Sequence, residues 1–412
     1  MALIDIAYKK ARELVKANIT PYGMTASVKH YVQVWARDLG ISSLGALILN
    51  DKEIDEGVRV SLSTLAKYQS SRGAIPNCVS AQKKPVISYG IAGCSAIDAP
   101  LWFIINCYYY FKMRDADFIK TLSTNIEAAM RWILCQDSNE DYLLEIPENS
   151  DWRDLFFYRH HVLYDEILFY AAVRAYDEMA KELSLKPIRI SNKIKEAINT
   201  YMWINHKNFE KIKKWEFEHK IHGVQYYERY AIIFGNIQFY PFYLPYITMS
   251  EYGCECDTVG NTLAILFGVC DNNEKKKSIL DYIDNSGCNE PYPLAVLDYP
   301  VMQGDKRWLP WLAKAHLNLP YQYHNGGIWL WVGGVYVSAL VKCGMTEKAG
   351  LELEKLAKGG KSGKNEEWEF NEWHHKKTGK PMGSAHQLWS AAMYCYAYNA
   401  VKNGNVDVFQ NW

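Results

Sequence analysis

Along most of the chain apolar residues recur at three- and four-residue spacing, separated by short stretches rich in Gly, Pro, Asn and Asp. That period predicts helix after helix. The spacing places helices over roughly 2–18, 37–50, 52–70, 97–112, 116–136, 162–184, 188–203, 258–271, 273–285, 306–316, 328–343, 345–358 and 384–403. The last is the clearest. Gly383 and Ser384 open it, Leu388, Ala391, Ala392 and Cys395 form its apolar face, and Gly404 stands where a left-handed turn ends a helix.

Two segments break the period. Residues 204–256 carry Trp215, Tyr226, Tyr230, Phe239 and Tyr243 among few helical repeats, and are expected to form a small aromatic-rich insertion or hairpin on one rim of a pocket. Lys358 to Lys364, rich in Gly and Lys, is expected to be a surface loop. No Ser/Gly/Pro-rich linker divides the chain, so residues 1–412 are read as one domain. About a dozen helices, with distinctive motifs in the loops between them, predict an all-α fold arranged as a double ring, an (α/α)6 barrel. An α-solenoid would show the same period, but no fixed repeat length is visible.

Composition narrows the function. Lys plus Arg and Asp plus Glu both number 46, so no net field draws a polyanion, and no basic stripe interleaved with aromatics marks a nucleic-acid surface. No segment approaches the roughly 18 uninterrupted apolar residues of a membrane span. The N-terminal residues alternate charged and apolar positions, without the apolar core and cleavage site of a signal peptide. Ten cysteines in 412 residues are too sparse for a disulfide scaffold, and most, including Cys107, Cys135, Cys270 and Cys395, fall in apolar helical patterns. Reduced thiols and a cytoplasmic location are expected. Cys254 and Cys256 form a C-x-C pair with no second pair at zinc-ligand spacing, so no metal is expected. No glycine pattern for a nucleotide follows a strand, and no cofactor is expected. Aromatic residues make up 14% of the chain, mostly Tyr and Trp, whose faces stack on sugar rings.

Two acidic motifs lie far apart in the chain. Asp151-Trp-Arg-Asp154 sits in a loop broken by Pro147, Asn149 and Ser150; Glu366 to His375 reads EEWEFNEWHH, in which Glu372 stands between Asn371 and Trp373. Hydrolysis of a glycosidic bond needs one carboxyl to protonate the leaving oxygen and another to activate water or attack the anomeric carbon. An acid that stays protonated near neutral pH needs apolar burial or neighbouring negative charge, which Trp152 and nearby acids can supply. Tyr321-Gln-Tyr323-His324-Asn325-Gly-Gly-Ile-Trp329 is read as a loop entering a helix, where the glycines permit close approach of a ligand and His324 and Asn325 offer donors and acceptors. Trp35-Ala-Arg37-Asp38 offers a fork for adjacent hydroxyls, and Asp98 follows Gly-Ala-Ile-Pro-Asn77.

Taken in order, these motifs resemble the inverting (α/α)6-barrel glycoside hydrolases, namely the alkaline/neutral invertases and the glucosidase domain of glycogen-debranching enzymes. W-A-R-D at 35–38, G-A-I-P-N at 73–77, D-A-P-L-W at 98–102, Y-H-N-G-G at 323–327 and E-W-H-H-K-K-T-G-K at 372–380, followed by His386-Gln-Leu-Trp389-Ser, carry the resemblance. It implies that Asp154 is the general acid, with Asp151 as the alternative, and that Glu372 is the general base. It also implies that Arg37, Asp38, Asp98, His324 and Asn325 hold the sugar; Trp35, Asn77, Trp152, Tyr323, Trp329, Trp373 and His386 are counted with them as substrate-binding candidates. After Asp154 the chain reads LFFYRHHVLYDE and lacks the invertase DRRMGIHGHP run.

The expected function is exo-acting, inverting hydrolysis of a small α-glucoside or sucrose-like saccharide, with saccharide and water as partners; self-association into a homo-oligomer is left open. Two other readings stay open as well. One is a sugar isomerase or epimerase drawing on His160, His161, His324, His374 and His375. The other is a non-catalytic carbohydrate-binding protein.

Overall fold

A computed structural model describes residues 2–91, 93–219, 239–248 and 251–412. Six of its helices are buried along most or all of their length: Ala36–Leu47, Asp98–Met113, Leu163–Ala180, Thr258–Leu266, Leu330–Lys342 and Leu388–Asn403. They are apolar or small on nearly every face, the pattern of a helix with neighbours all round. Each packs on the next and the last packs on the first, closing a ring.

A second set buries only one stripe of each helix and lies against the outside of that ring. It comprises Leu3–Ala17, Lys52–Lys67, Ser123–Leu134, Ser191–Tyr201, Asn273–Asn285 and Thr346–Lys361. Asp51 and Asn272 open two of these outer helices by accepting backbone N–H groups of Glu53 and Lys275, a side-chain cap worth about 1 kcal/mol. The architecture is the expected (α/α)6 double ring. Inner helices approach closely where a glycine allows it: a Cβ on Gly45 would stand 1.7 Å from the Ala392 carbonyl oxygen.

Inner and outer helices alternate along the chain, so the inner six run in one direction and their N-termini meet at one end. The loops that enter them are tied by short antiparallel pairings. Gln33–Trp35 pairs with Cys78–Ser80, His161–Val162 with Tyr246–Ile247, and Trp373–His374 with Pro381–Met382. At the opposite end the C-terminal segment packs into the ring, with Phe409 stacked on Tyr109 and Trp412 against Phe267.

Four elements differ from expectation. His206–His219 is a helix inside the segment read as an insertion; Asn205 caps it through the Asn208 N–H, while its charged sequence gives a weak apolar period. The rest of that expected insertion falls partly at 220–238, 249 and 250, outside the described residues. Residues 306–316 hold a 3-10 helix, Pro310–His316, opened by Pro310. The 116–136 helix is two helices, Ala116–Thr121 and Ser123–Leu134, and Cys135 at its end is exposed. Lys358 to Lys361 is the last turn of Thr346–Lys361, and its glycines are packing residues: a Cβ on Gly359 would meet Leu330 and one on Gly360 would meet Phe370.

Candidate active site

At the end where the inner helices begin, Arg37 organises three loops. Its Nε and Nη2 donate to the two carboxyl oxygens of Asp98 at 2.5 and 3.0 Å, Nη2 also donates to the Asp151 carbonyl at 2.8 Å, and Nη1 reaches Asp154 Oδ1 at 3.4 Å. Helix 36–47 presents Arg37 in its first turn and helix 98–113 begins at Asp98, so the pair joins two neighbouring inner helices. Tyr164 supports it by donating to Asp98 at 3.2 Å and accepting from the Trp102 indole at 2.8 Å.

Asp151 and Asp154 occupy different positions. Asp151 points inward, its side chain 5% exposed, and accepts the Arg153 N–H at 2.6 Å. Asp154 is 18% exposed, and its carboxyl is held by Arg37. Burial raises the Asp154 pKa to about 7; Arg37 opposes the rise, and the charges of Asp98 and Asp151 add to it.

Glu372 reaches the same end from the Trp373–Met382 hairpin. Its N–H donates to the Ser384 carbonyl at 2.8 Å and its Oε2 accepts the Ser384 N–H at 2.9 Å. Gly383 makes the connecting turn at φ +66, and a Cβ there would stand 2.5 Å from Glu372 Oε2. Burial raises the Glu372 pKa to about 7, against the Ser384 N–H, the Lys364 charge and a hydrogen bond from the Tyr31 hydroxyl.

A cavity of about 730 Å³ opens beside Glu372, and Tyr31, Tyr323, Trp373, Ser384 and His386 are among its walls, with Lys29, His30 and Lys364. Asp154 does not line this volume. The two carboxyls nevertheless act on one set of groups: both raise the pKa of Tyr31, of Tyr323 and of Asp38, the last to about 8 after burial, with Arg37 opposing. Asp38 is 6% exposed.

The other candidates sort by what they touch. Trp35 packs edge-on against Tyr31, and Asn77 gives its carbonyl to the Ala36 N–H. Trp152 is buried in an aromatic cluster with His324, Trp329 and Trp331. His324 is 1% exposed and held neutral by burial and by the charges of Arg153 and Arg37. Asn325 spends its amide on the backbone of Val301 and Asn318, and Trp329 donates to the Tyr323 carbonyl. Gly327 is required by the loop itself, since a Cβ there would stand 2.6 Å from the Tyr323 nitrogen. The 323–329 loop therefore shapes the wall behind Tyr323. Glu369 accepts N–H groups of Lys364, Asn365 and Glu366 and so pins the segment carrying Lys364.

Tyr31, Ser384 and Lys364 act on Glu372, and none of them stands out in the sequence. Tyr31 sits in a polar stretch whose only signal is its proximity to Trp35, and a backbone N–H such as that of Ser384 leaves no signal in residue type. All ten cysteines are free. Among the described residues Asp141, Glu145 and His161 bring three ligand atoms within 4.8 Å of one another, outside the cavity walls.

The chain matches the amylo-alpha-1,6-glucosidase family over residues 9–395. It belongs to that family. It is 23% identical to alkaline/neutral invertase C, mitochondrial, of Arabidopsis thaliana, over 76% of this chain and 49% of that protein. It is 25% identical to alkaline/neutral invertase E, chloroplastic, of the same plant, over 74% and 52%. The chain thus spans about half the length of these relatives. In fold it resembles a GH63 mannosylglycerate hydrolase from Thermus thermophilus, with TM-score 0.64, 16% identity and coverage of 94% and 98%. It also resembles a bacterial glucoamylase solved with acarbose, with TM-score 0.63, 15% identity and coverage of 97% and 56%. Among the described residues no helix is long and apolar enough to cross a membrane.

Proposed function

We propose that this amylo-alpha-1,6-glucosidase family member is an exo-acting glycosidase that hydrolyses a small α-glucoside or sucrose-like saccharide with inversion, Asp154 serving as acid and Glu372 as base. The supporting observation is that these two carboxyls act on one shared set of groups, Tyr31, Asp38 and Tyr323, of which Tyr31 and Tyr323 line the cavity with Glu372. Burial raises both groups, and what acts beside it differs: at Asp154 Arg37 opposes the rise while the charges of Asp98 and Asp151 add to it, whereas at Glu372 the Ser384 N–H, the Lys364 charge and the Tyr31 hydroxyl all oppose it.

In this mechanism Asp154 gives its proton to the bridging oxygen while Glu372 takes one from a water on the opposite face of the sugar. Arg37 and Asp38 hold ring hydroxyls, Tyr323 and Trp373 offer stacking faces, and His386 stands at the rim. Trp152, His324, Asn325 and Trp329 support that wall from behind. Asp151, turned inward and committed to Arg153, is the weaker acid candidate.

An isomerase would need histidines facing one another across the cavity. The five histidines named for that reading, His160, His161, His324, His374 and His375, are all absent from its walls, where His30 and His386 stand instead beside Glu372. The test is hydrolysis of a panel of glucosides and disaccharides by the wild type, D154N and E372Q. The proposal expects turnover by the wild type and loss of most of it in both variants with sugar binding retained. Full activity in either variant would overturn the assignment.

A further inference from the structure

Asp154 lies in a loop, where neither helix nor strand bonding fixes its backbone. Among the described residues its carboxyl meets one hydrogen-bond donor, Arg37 Nη1 at 3.4 Å. Proton transfer needs the acid within about 3 Å of the bridging oxygen, so a carboxyl this loosely held must be aimed by the chain on either side of it. The residue before it is anchored. Arg153 Nη2 donates to Asp257 Oδ1 at 2.5 Å, with both side chains 0% exposed. The guanidinium lies over the rings of Trp152 and Tyr158, 4.7 and 4.9 Å from their centroids. Asp257 is itself fixed, because the same oxygen caps the inner helix Thr258–Leu266 by accepting the Val259 N–H at 3.0 Å. Two residues earlier, Glu255 accepts the Tyr158 hydroxyl at 2.6 Å. A fully buried ion pair gains little stability over apolar residues of like volume, so what this one contributes is a fixed geometry. The residue after Asp154 is anchored as well. Asn318, 1% exposed, donates from Nδ2 to the Leu155 carbonyl at 2.5 Å, and its Oδ1 accepts the His324 N–H at 3.1 Å.

We infer that Asp257, acting through Arg153, and Asn318 are positioning residues for the acid, clamping the chain one residue before and one residue after Asp154 and so setting the reach of its carboxyl. Neither lines the cavity. Asn318 also joins the loop of the acid to the loop that shapes the wall behind Tyr323, so the proton donor keeps its place relative to that wall. Loosening either tie displaces Asp154 and leaves Arg37, Asp38 and Glu372 in place. The loss then falls on proton donation and not on sugar binding. This inference rests on the assignment of Asp154 as the acid, which D154N tests separately.

The test compares two substrates that differ in how much they need an acid. Methyl α-glucoside has a leaving group that must be protonated, whereas nitrophenyl α-glucoside has one that leaves with little help. For Asp257→Asn and for Asn318→Ala, kcat on the methyl glucoside falls by about 10²-fold, the cost of an ångström-scale misplacement. On the nitrophenyl glucoside both variants keep most of their kcat, and KM for either substrate stays near the wild-type value. A merely structural role would lower both rates alike. Equal losses on the two substrates, or no loss on the methyl glucoside, overturn the inference. Thermal melts accompany the kinetics: if one variant does not fold, the other decides, and if neither folds the ties serve the fold and the inference is overturned. D154N is the control. If D154N shows the substrate-selective loss and the two variants do not, the inference alone fails. If D154N loses both rates alike, or the wild type cleaves neither glucoside, the functional proposal fails and takes the inference with it.

Discussion

Ser384 holds Glu372 twice, donating its N–H to Oε2 at 2.9 Å and accepting the Glu372 N–H at 2.8 Å. A backbone clamp of this kind fixes the direction of the carboxyl as well as its charge. It leaves the remaining lone pairs of Glu372 for Tyr31 and for whatever enters the cavity.

The first prediction concerns pH. Activity should fall as pH drops below about 7, where Glu372 gains a proton, and fall again as pH rises above about 7, where Asp154 loses one. Because the two values nearly coincide, kcat/KM should trace a narrow bell centred near neutrality. Tyr31→Phe and Lys364→Met each remove a group that favours ionised Glu372, so the acidic limb should move to higher pH in both. A pH profile of each variant checks this, and a limb moving downward would contradict the role given to Tyr31 and Lys364.

A second prediction follows from Gly383. Its φ of +66 suits glycine, and a Cβ would stand 2.5 Å from Glu372 Oε2. Gly383→Ala should displace the carboxyl and lower kcat by about 10²-fold, the cost of an ångström-scale misplacement. Steady-state kinetics beside a thermal melt would separate this from unfolding.

Stability should depend on Arg37. The Arg37 and Asp98 side chains are 3% and 0% exposed, so Arg37→Met leaves an unpaired buried carboxylate. Breaking such a pair costs about 3–5 kcal/mol, to be read from the shift of the denaturant midpoint. Asp98→Asn, which keeps an acceptor for the guanidinium, should cost less.

Asp154→Asn and Asp151→Asn distinguish the two acid candidates. Loss of a general acid lowers kcat by about 10²–10⁴-fold, and that loss is expected for D154N. D151N should keep most turnover and shift the alkaline limb downward, because a charge that raises the Asp154 pKa is gone. Rate measurements on an activated glucoside, whose leaving group needs little protonation, should partly restore D154N.

Much of the fold is legible in apolar spacing because helices such as Leu330–Lys342 and Leu388–Asn403 are long, buried and bounded by turn residues. Spacing fails where something else makes the helix. His206–His219 is largely charged and begins at a cap, and Pro310–His316 follows a different period. At the site, Arg37, Asp98, Asp154 and Glu372 are visible as charged residues in aromatic loops, and the structure brings the first three into one network. Tyr31 and Ser384 stay hidden because they act through a hydroxyl in a polar stretch and through the backbone. Asn325 and Trp329 show the converse: residues suited to sugars whose hydrogen bonds go to their own loop.

The most direct measurement is the anomeric configuration of the sugar first released from an α-glucoside, followed by proton NMR before mutarotation. Asp154 as acid and Glu372 as base predict the β-anomer, formed with uptake of one water and absent when Glu372→Gln replaces the wild type. Release of the α-anomer, or conversion of a free monosaccharide without water uptake, would contradict it.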